Sequence, residues 1–327
     1  MFVVSTEIKG HYLSYGKIID DHSGGRGVNV FFEGRSLIYN VFFIAINIWR
    51  QPGQEKKILF LNGEQVLLPL LIRLLFPRYK VLSIVYYSFL GRGLRSQVKK
   101  IIFCISSMLG VFLYFLEGEE WLSGSKCLFK NNYRSLSDPA LLEYKGFSDK
   151  CIGSDVITYL VVGYIDERKC VPEIVEALIA FAFDSKTSQR LIILGKQSPN
   201  VEKYLSGLVV PESLELLVLN ERFSDDEYSQ YLAVSDVVLA IYKDHLGSSG
   251  VVINSILYGK KVLFIPAGVT AAFEKRLGLK YLPRSSSSGA IKEALAKVAN
   301  SVQYCDDARL RFLVGRSKKE FYLSLIS

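Results

Sequence analysis

The sequence predicts an α/β protein of two domains, each a parallel sheet covered by helices on both faces, with the two facing across a cleft. Three observations predict it. The chain has 327 residues, too long for one typical domain and comfortable for two. Hydrophobic residues make up 50% of it, enough for large buried cores and too many for disorder. Short apolar runs alternate with helix-length segments from end to end, an alternation that implies parallel pairing of the strands.

The first half opens with a strand, "MFVVS", and a turn into a helix, "TEIKGHYLSYGKIIDD". "VNVFFE" reads as a strand and "LIYNVFFIAINIW" as a buried helix. "KILFLN", "GEQVLLPLLIRLLF" and "KVLSIVYY" follow as strand, helix and strand. "LRSQVKKIIFCISSML" is a helix whose basic face alternates with apolar residues, and "VFLYFL" is the next strand. The apolar run 101–116 splits at Gly110 and falls short of the ~20 residues needed to span a bilayer, so it reads as core. The first domain is set at 1–135, and the Asn-, Ser- and Asp-rich segment 136–152 is its linker.

The second domain, 153–305, repeats the rhythm. "VITYLVVG" is a buried strand, and "VPEIVEALIAFAF" a helix with Pro172 in its first turn, where a missing N–H costs nothing. "RLIILG", "VEKYLSGL" and "LELLVLN" are strand, helix and strand. "SDDEYSQYLAVS" has a Ser cap and an acidic first turn, as a helix start should. "DVVLAIY" is a strand, followed by a Gly-Ser-Ser-Gly loop, the helix "GVVINSILYG" and the strand "KVLFI". "AIKEALAKVAN" is a helix, and 306–327 is a C-terminal helical segment packing back on the first domain.

Residues 1–150 hold 19 Lys and Arg against 12 Asp and Glu, so +7 of the net +8 lies in the first half. That favours an anionic partner there, a lipid surface before nucleic acid, for which no recognisable binding module is present. The five cysteines are scattered, with no C-x-x-C pair, so neither a disulfide framework nor a zinc site is suggested. The start of the chain lacks the basic region and cleavage site of a secretory leader. A cytoplasmic protein is expected.

Small residues at 247–250 stand where a helix begins, at the carboxyl end of a strand. They read either as an ordinary Ser-capped turn or as a loop whose bare N–H groups approach an anion. Ligands of such sheets bind at strand carboxyl ends, which favours the anion.

Four segments in order resemble the nucleotide-sugar-binding domain of GT-B glycosyltransferases, most closely family 4. They are "VVGYIDERKCVPEIVEAL", "LIILG", "NERFSDDEYSQYLAVSDVVLAIY" and "GSSGVVINSILYGKKVLFI", within roughly 155–300. The resemblance implies two Rossmann-like domains, the first binding the acceptor and the second a nucleotide diphosphate sugar. It implies Lys169, supplemented by Arg168, as the cation on the leaving diphosphate, with Gly163 at the strand end. Gly247, Ser248, Ser249, Gly250 and Val251 would give the phosphates their N–H and hydroxyl donors. Asn254, Arg222 and Phe223 would meet the ribose and nucleotide.

On the acceptor side, Gly10, His11 and Glu64 follow strand ends. His11 is the candidate for catalysis; Glu64 reads equally as a first-turn carboxylate favoured by the helix dipole. His22 is placed in a surface loop, and His245 beside the phosphate loop. Departures from the family pattern stand at Leu246 and Asn254, where Glu-x7-Glu is usual, and at Tyr164, where arginine is usual.

The function so implied is transfer of a sugar from a nucleotide diphosphate sugar to an acceptor hydroxyl, with retention and with no obligatory metal or cofactor. The expected acceptor is a lipid-linked saccharide in bacterial surface polysaccharide assembly, reached at the inner face of the cell membrane. A non-catalytic nucleotide-sugar-binding subunit and a nucleotide-sugar epimerase are the alternatives.

Overall fold

A computed structural model describes residues 1–6, 11–24, 28–31, 33, 36–50, 56–62, 67–86, 93–117, 132–144, 156–185, 188–299, 301 and 306–327. The chain divides into two compact units, Met1–Pro139 with Gly315–Ser327, and Ala140–Val314.

In the first unit the order is β1 (Phe2–Ser5), α1 (His11–Ser23), β2 (Val28–Phe31), α2 (Leu37–Arg50), β3 (Lys57–Phe60), α3 (Leu67–Leu75), β4 (Lys80–Val85), α4 (Leu94–Met108), β5 (Val111–Leu116) and β6 (Tyr133–Leu136). The sheet runs β2-β1-β3-β4-β5-β6, all parallel, with Phe2 opposite Ile58 and Ile58 opposite Val81. Strands buried on both faces have no polar side, which is why their sequences read as unbroken apolar runs. One face (Phe2, Val4, Ile58, Phe60, Val81) packs on Ile44 and Ile48 of α2, Leu68 and Ile72 of α3 and Phe103 of α4. Burying one such side chain stabilises the fold by about 1.5–3 kcal/mol.

The second unit contains β7 (Val156–Val162), a single 3₁₀ turn (Glu167–Lys169), α5 (Val171–Ser185), β8 (Ser188–Leu194), α6 (Pro199–Ser206), β9 (Leu214–Leu219), α7 (Asp225–Val234), β10 (Val237–Ala240), α8 (Gly250–Leu257), β11 (Lys261–Phe264), α9 (Val269–Leu277), α10 (Ser288–Ala299) and α11 (Asp306–Leu313). Its parallel sheet runs β11-β10-β7-β8-β9. The chain builds outward from β7 through β8 to β9, then crosses back to β10 on the other side of β7. Between β7 and β10 the winding therefore reverses, and a crevice opens outside their carboxyl ends.

The last helix, α12 (Lys318–Ile326), belongs to the first unit. It packs on α1, the Tyr15 and Phe321 ring centroids lying 5.0 Å apart. Leu325 carbonyl also accepts a 3.1 Å bond from the Tyr114 hydroxyl. Among the described residues no helix is long and apolar enough to cross a membrane.

Three features differ from the sequence reading. Strand β6, which the polar "YRSL" concealed, straddles the expected boundary at 135/136, and the first unit continues to Pro139. The segment 306–327 is two helices, α11 in the second unit and α12 in the first, broken at Gly315 (φ +77) and restarted by a Ser317–Glu320 capping box. Helix α9 was not read at all. Its start has no side-chain cap on Gly268, and the local turn in which the Thr270 hydroxyl bonds to Ile265 and Ala267 has no sequence period.

Candidate functional site

Two strand-end loops meet at the winding reversal of the second sheet. After β7, Gly163 takes φ +106, a conformation open to glycine and rare for other residues. Gly195, after β8, has φ +137, and a Cβ there would stand 1.8 Å from the Gly163 carbonyl oxygen. The two backbones come this close because Gly195 carries no side chain.

Beyond Gly163 the chain makes its 3₁₀ turn. Asp166 caps it by accepting from the Arg168 amide at 3.2 Å, and Cys170 leaves it in the left-handed region at φ 53°. Glu167 accepts from the Ser198 hydroxyl at 3.0 Å and the Asn200 amide at 2.9 Å. A backbone N–H together with these two donors holds its carboxyl below the usual range.

The turn sends the Lys169 side chain back over the end of β7. Its ammonium donates to the Val162 carbonyl at 2.7 Å and lies 3.4 Å from the Tyr242 hydroxyl and 4.6 Å from that ring's centroid. Only 9% of the residue is exposed. Among the described residues no carboxylate pairs with it. An ammonium has three donors, and a buried charge calls for an opposite charge. Among the described residues the charge of Lys169 therefore stands uncompensated.

The second loop follows β10. Lys243 donates its amide to the Arg168 carbonyl at 2.8 Å and its ammonium to Glu173 at 2.6 Å, fastening the two loops together. The Tyr242 and His245 rings meet edge to face at 5.1 Å, and His245 Nε2 is 3.1 Å from the Ser248 carbonyl. The Ser248 hydroxyl is shut off from solvent with no bonding partner among the described residues. Ser249 caps α8 by accepting from the Val252 amide, so Gly250 and Val251 open the helix at its positive end. The loop is seated from below: Leu246 carbonyl accepts from the Val269 amide at 3.0 Å, and a Cβ on Gly268 would come within 2.3 Å of that oxygen.

The structure thus brings Gly163, Lys169 and the 247–251 loop together through Tyr242 and His245. Phe223 joins at the third strand end, its ring 3.2 Å from where a Gly195 Cβ would stand and edge-on to Tyr228 at 5.7 Å. Arg222 is exposed beside it. Arg168 is turned outward to Asp166, Nη2 to Oδ2 2.8 Å, with 69% of its side chain exposed. Asn254 is buried in α8, its amide oxygen accepting from the Leu142 amide at 3.3 Å. Tyr164 is exposed. His22 ends α1, with Nδ1 2.8 Å from the Ile18 carbonyl, rather than lying in a loop. His11 begins α1 in the first unit, while Gly10 and Glu64 lie outside the described residues.

Sequence reasoning missed Tyr242 and Gly195 as parts of the site. Gly195 ends the strand run "RLIILG" with nothing in the sequence to show what its backbone meets, and Tyr242 carries no local signal because its role depends on which strand lies beside β7.

No family model matches the chain, and no characterised protein matches it by sequence. Its structure is similar to solved structures that include glycosyltransferases. One is a glycosyltransferase from Rickettsia africae, with a TM-score of 0.68 at 12% identity over 99% of this chain and 96% of that one. Another is the sucrose-phosphate synthase of Thermosynechococcus elongatus, with a TM-score of 0.66 at 12% identity over 99% and 94%. A third is Anabaena HepE in complex with UDP and glucose, with a TM-score of 0.61 at 11% identity over 99% and 94%. The chain has the GT-B fold of two Rossmann-like α/β units.

Proposed function

We propose that the protein is a glycosyltransferase that moves a sugar from a nucleotide diphosphate sugar to an acceptor hydroxyl. The single observation that carries this reading is the buried ammonium of Lys169, with no carboxylate partner among the described residues, at the winding reversal beside the N-terminus of α8. As the bond from sugar to diphosphate breaks, negative charge grows on the departing phosphate. A fixed ammonium and the N–H groups of a helix start stabilise that charge without reorganising. Ser248 and Ser249 add donors, and Phe223, Arg222 and Asn254 are assigned to the nucleoside side.

Solved glycosyltransferases of similar fold, and a further structure of that fold holding UDP and glucose, support the donor class. The resemblance to family 4 supports retention without an obligatory metal. The +7 charge of residues 1–150 supports an acceptor presented at an anionic membrane, as a lipid-linked saccharide of surface polysaccharide would be, with Gly10, His11 and Glu64 on the acceptor side. The protein would then work at the inner face of the cell membrane.

A thermal-shift screen with UDP-, GDP-, ADP- and dTDP-sugars tests the donor site. One nucleotide class should raise the melting temperature, and Lys169→Ala should abolish the effect. No response to any of the four would overturn the reading. Leu246 favours a second reading, a nucleotide-sugar-binding subunit without activity, since its side chain cannot grip a sugar hydroxyl. Donor binding without hydrolysis or transfer to any acceptor in a lysate would select it.

A further inference from the structure

Helices α2, α3 and α4 form one layer, with α3 packed between the other two and all three burying side chains in one core. Their outward sides are apolar as well. Along α4, Leu94, Val98, Ile101, Ile105 and Met108 recur at helical spacing and are all exposed, Leu94 at 80%. Along α2, Ile38, Phe42 and Trp49 make a second stripe, Ile38 at 83% and Trp49 at 81% exposed. Leu74 and Leu75 of α3 lie open in the middle helix. A helix apolar on both sides is suited to burial on both sides, and apolar exposure spread over three adjoining helices marks an interaction face.

Charge indicates what covers it. None of the three helices contains Asp or Glu, whereas they carry Arg50, Arg73, Arg95, Lys99 and Lys100. A protein partner calls for a polar rim around an apolar centre. A face that is apolar and cationic, with no carboxylate, complements anionic headgroups above acyl chains.

We infer that the α2–α3–α4 layer docks flat on an anionic bilayer, with Ile38, Phe42, Trp49 and the α4 stripe entering the headgroup–acyl boundary and Arg50, Lys99 and Lys100 meeting lipid phosphate. This deepens the membrane association in the reading above and rests on it for the choice of lipid. It names the face and adds insertion to electrostatic attraction.

The test uses the full chain and vesicles of phosphatidylglycerol and phosphatidylethanolamine against phosphatidylcholine alone. The chain has two tryptophans, so Trp121→Phe leaves Trp49 as sole reporter. Its emission should shift to the blue with anionic vesicles and be quenched by brominated acyl chains. Phe42→Ser and Ile101→Ser, both outward-facing, should each weaken partitioning on the order of tenfold. An unshifted Trp49 would overturn the proposal, as would partitioning that ignores both substitutions. So would a dimer in lipid-free solution that those substitutions dissolve, since the face would then belong to a second copy. UDP and GDP titrations of the same samples separate the two readings. Vesicle docking without nucleotide binding sinks the donor site alone, and nucleotide binding without docking sinks the membrane face alone.

Discussion

Arg316 and Glu117, 199 residues apart in sequence, form a fully buried forked ion pair in the first unit. Arg316 Nη2 donates to Glu117 Oε2 at 2.9 Å, and Nη1 donates to the other carboxylate oxygen and to the Asp138 carbonyl. Glu117 also accepts from the Asp138 amide at 2.7 Å, and the Asp138 carboxylate takes the Tyr15 hydroxyl at 2.5 Å. Desolvation first, then the charge of Asp138, raises the Tyr15 phenol well above its usual value. Asp138 stands just before the chain leaves the first unit and Arg316 just after it returns. One polar cluster therefore fastens both crossing points to the first unit.

Removing one partner leaves the other charged and buried. Arg316→Met should lower the unfolding free energy by about 3–5 kcal/mol, whereas Arg316→Met with Glu117→Gln should recover part of the loss. Urea denaturation of the two variants measures this. Equal losses would mean that the pair is not the source.

Gly195→Ala should damage the site more than an exposed substitution can. The new methyl would meet the Gly163 carbonyl, and φ +137 is itself strained for alanine by about 1–3 kcal/mol. The expected result is a lower melting temperature together with weakened nucleotide binding. Unchanged values for both would refute the close approach.

The Glu167 carboxyl titrates below its usual 4.5 because its own turn's N–H, Asn200 and Ser198 favour the anion. A depressed folded-state value contributes stability that is present above the unfolded value and lost as pH falls through the folded one. Glu167→Gln should therefore flatten the acid limb of the stability profile below about pH 4.5 and leave its shape at neutral pH unchanged. Chemical denaturation from pH 3 to pH 7 would expose a parallel pair of curves if the assignment is wrong.

Tyr242→Leu removes the ring beneath the Lys169 ammonium while keeping an apolar side chain. Nucleotide affinity should fall roughly threefold to tenfold, with Tyr242→Phe retaining most of it, because the ring rather than the 3.4 Å hydroxyl contact holds the cation. Isothermal titration distinguishes the two variants, and equal loss in both would assign the effect to the hydroxyl.

The alternation of apolar strands with amphipathic helices was legible in the sequence because burial on both faces removes polar residues from a parallel strand. Most of the elements of both units could be read this way, and so could the small residues at 247–250, since glycine and serine at a helix start have a local cause. Elements whose cause is not local escaped. Strand β6 is polar and holds its place by pairing with β5, and α9 begins at a glycine fitted against Leu246. The new helix at Ser317 was missed although its capping box is local, whereas its return to the first unit was expected and is fastened by Arg316 on Glu117.

The sequence by itself determined the fold class, because the alternation of apolar strands and helices follows from residue type and spacing along each stretch of chain; Gly163 and Lys169 were singled out only through the family resemblance. Only the tertiary structure decided that Lys169 is buried on Tyr242 with no carboxylate partner among the described residues, that Arg168 turns away to Asp166, and that three neighbouring helices leave their apolar outer sides open. Strand order sets which loops become neighbours, and packing sets which side of a helix is covered. Neither quantity is written in any local window of the chain.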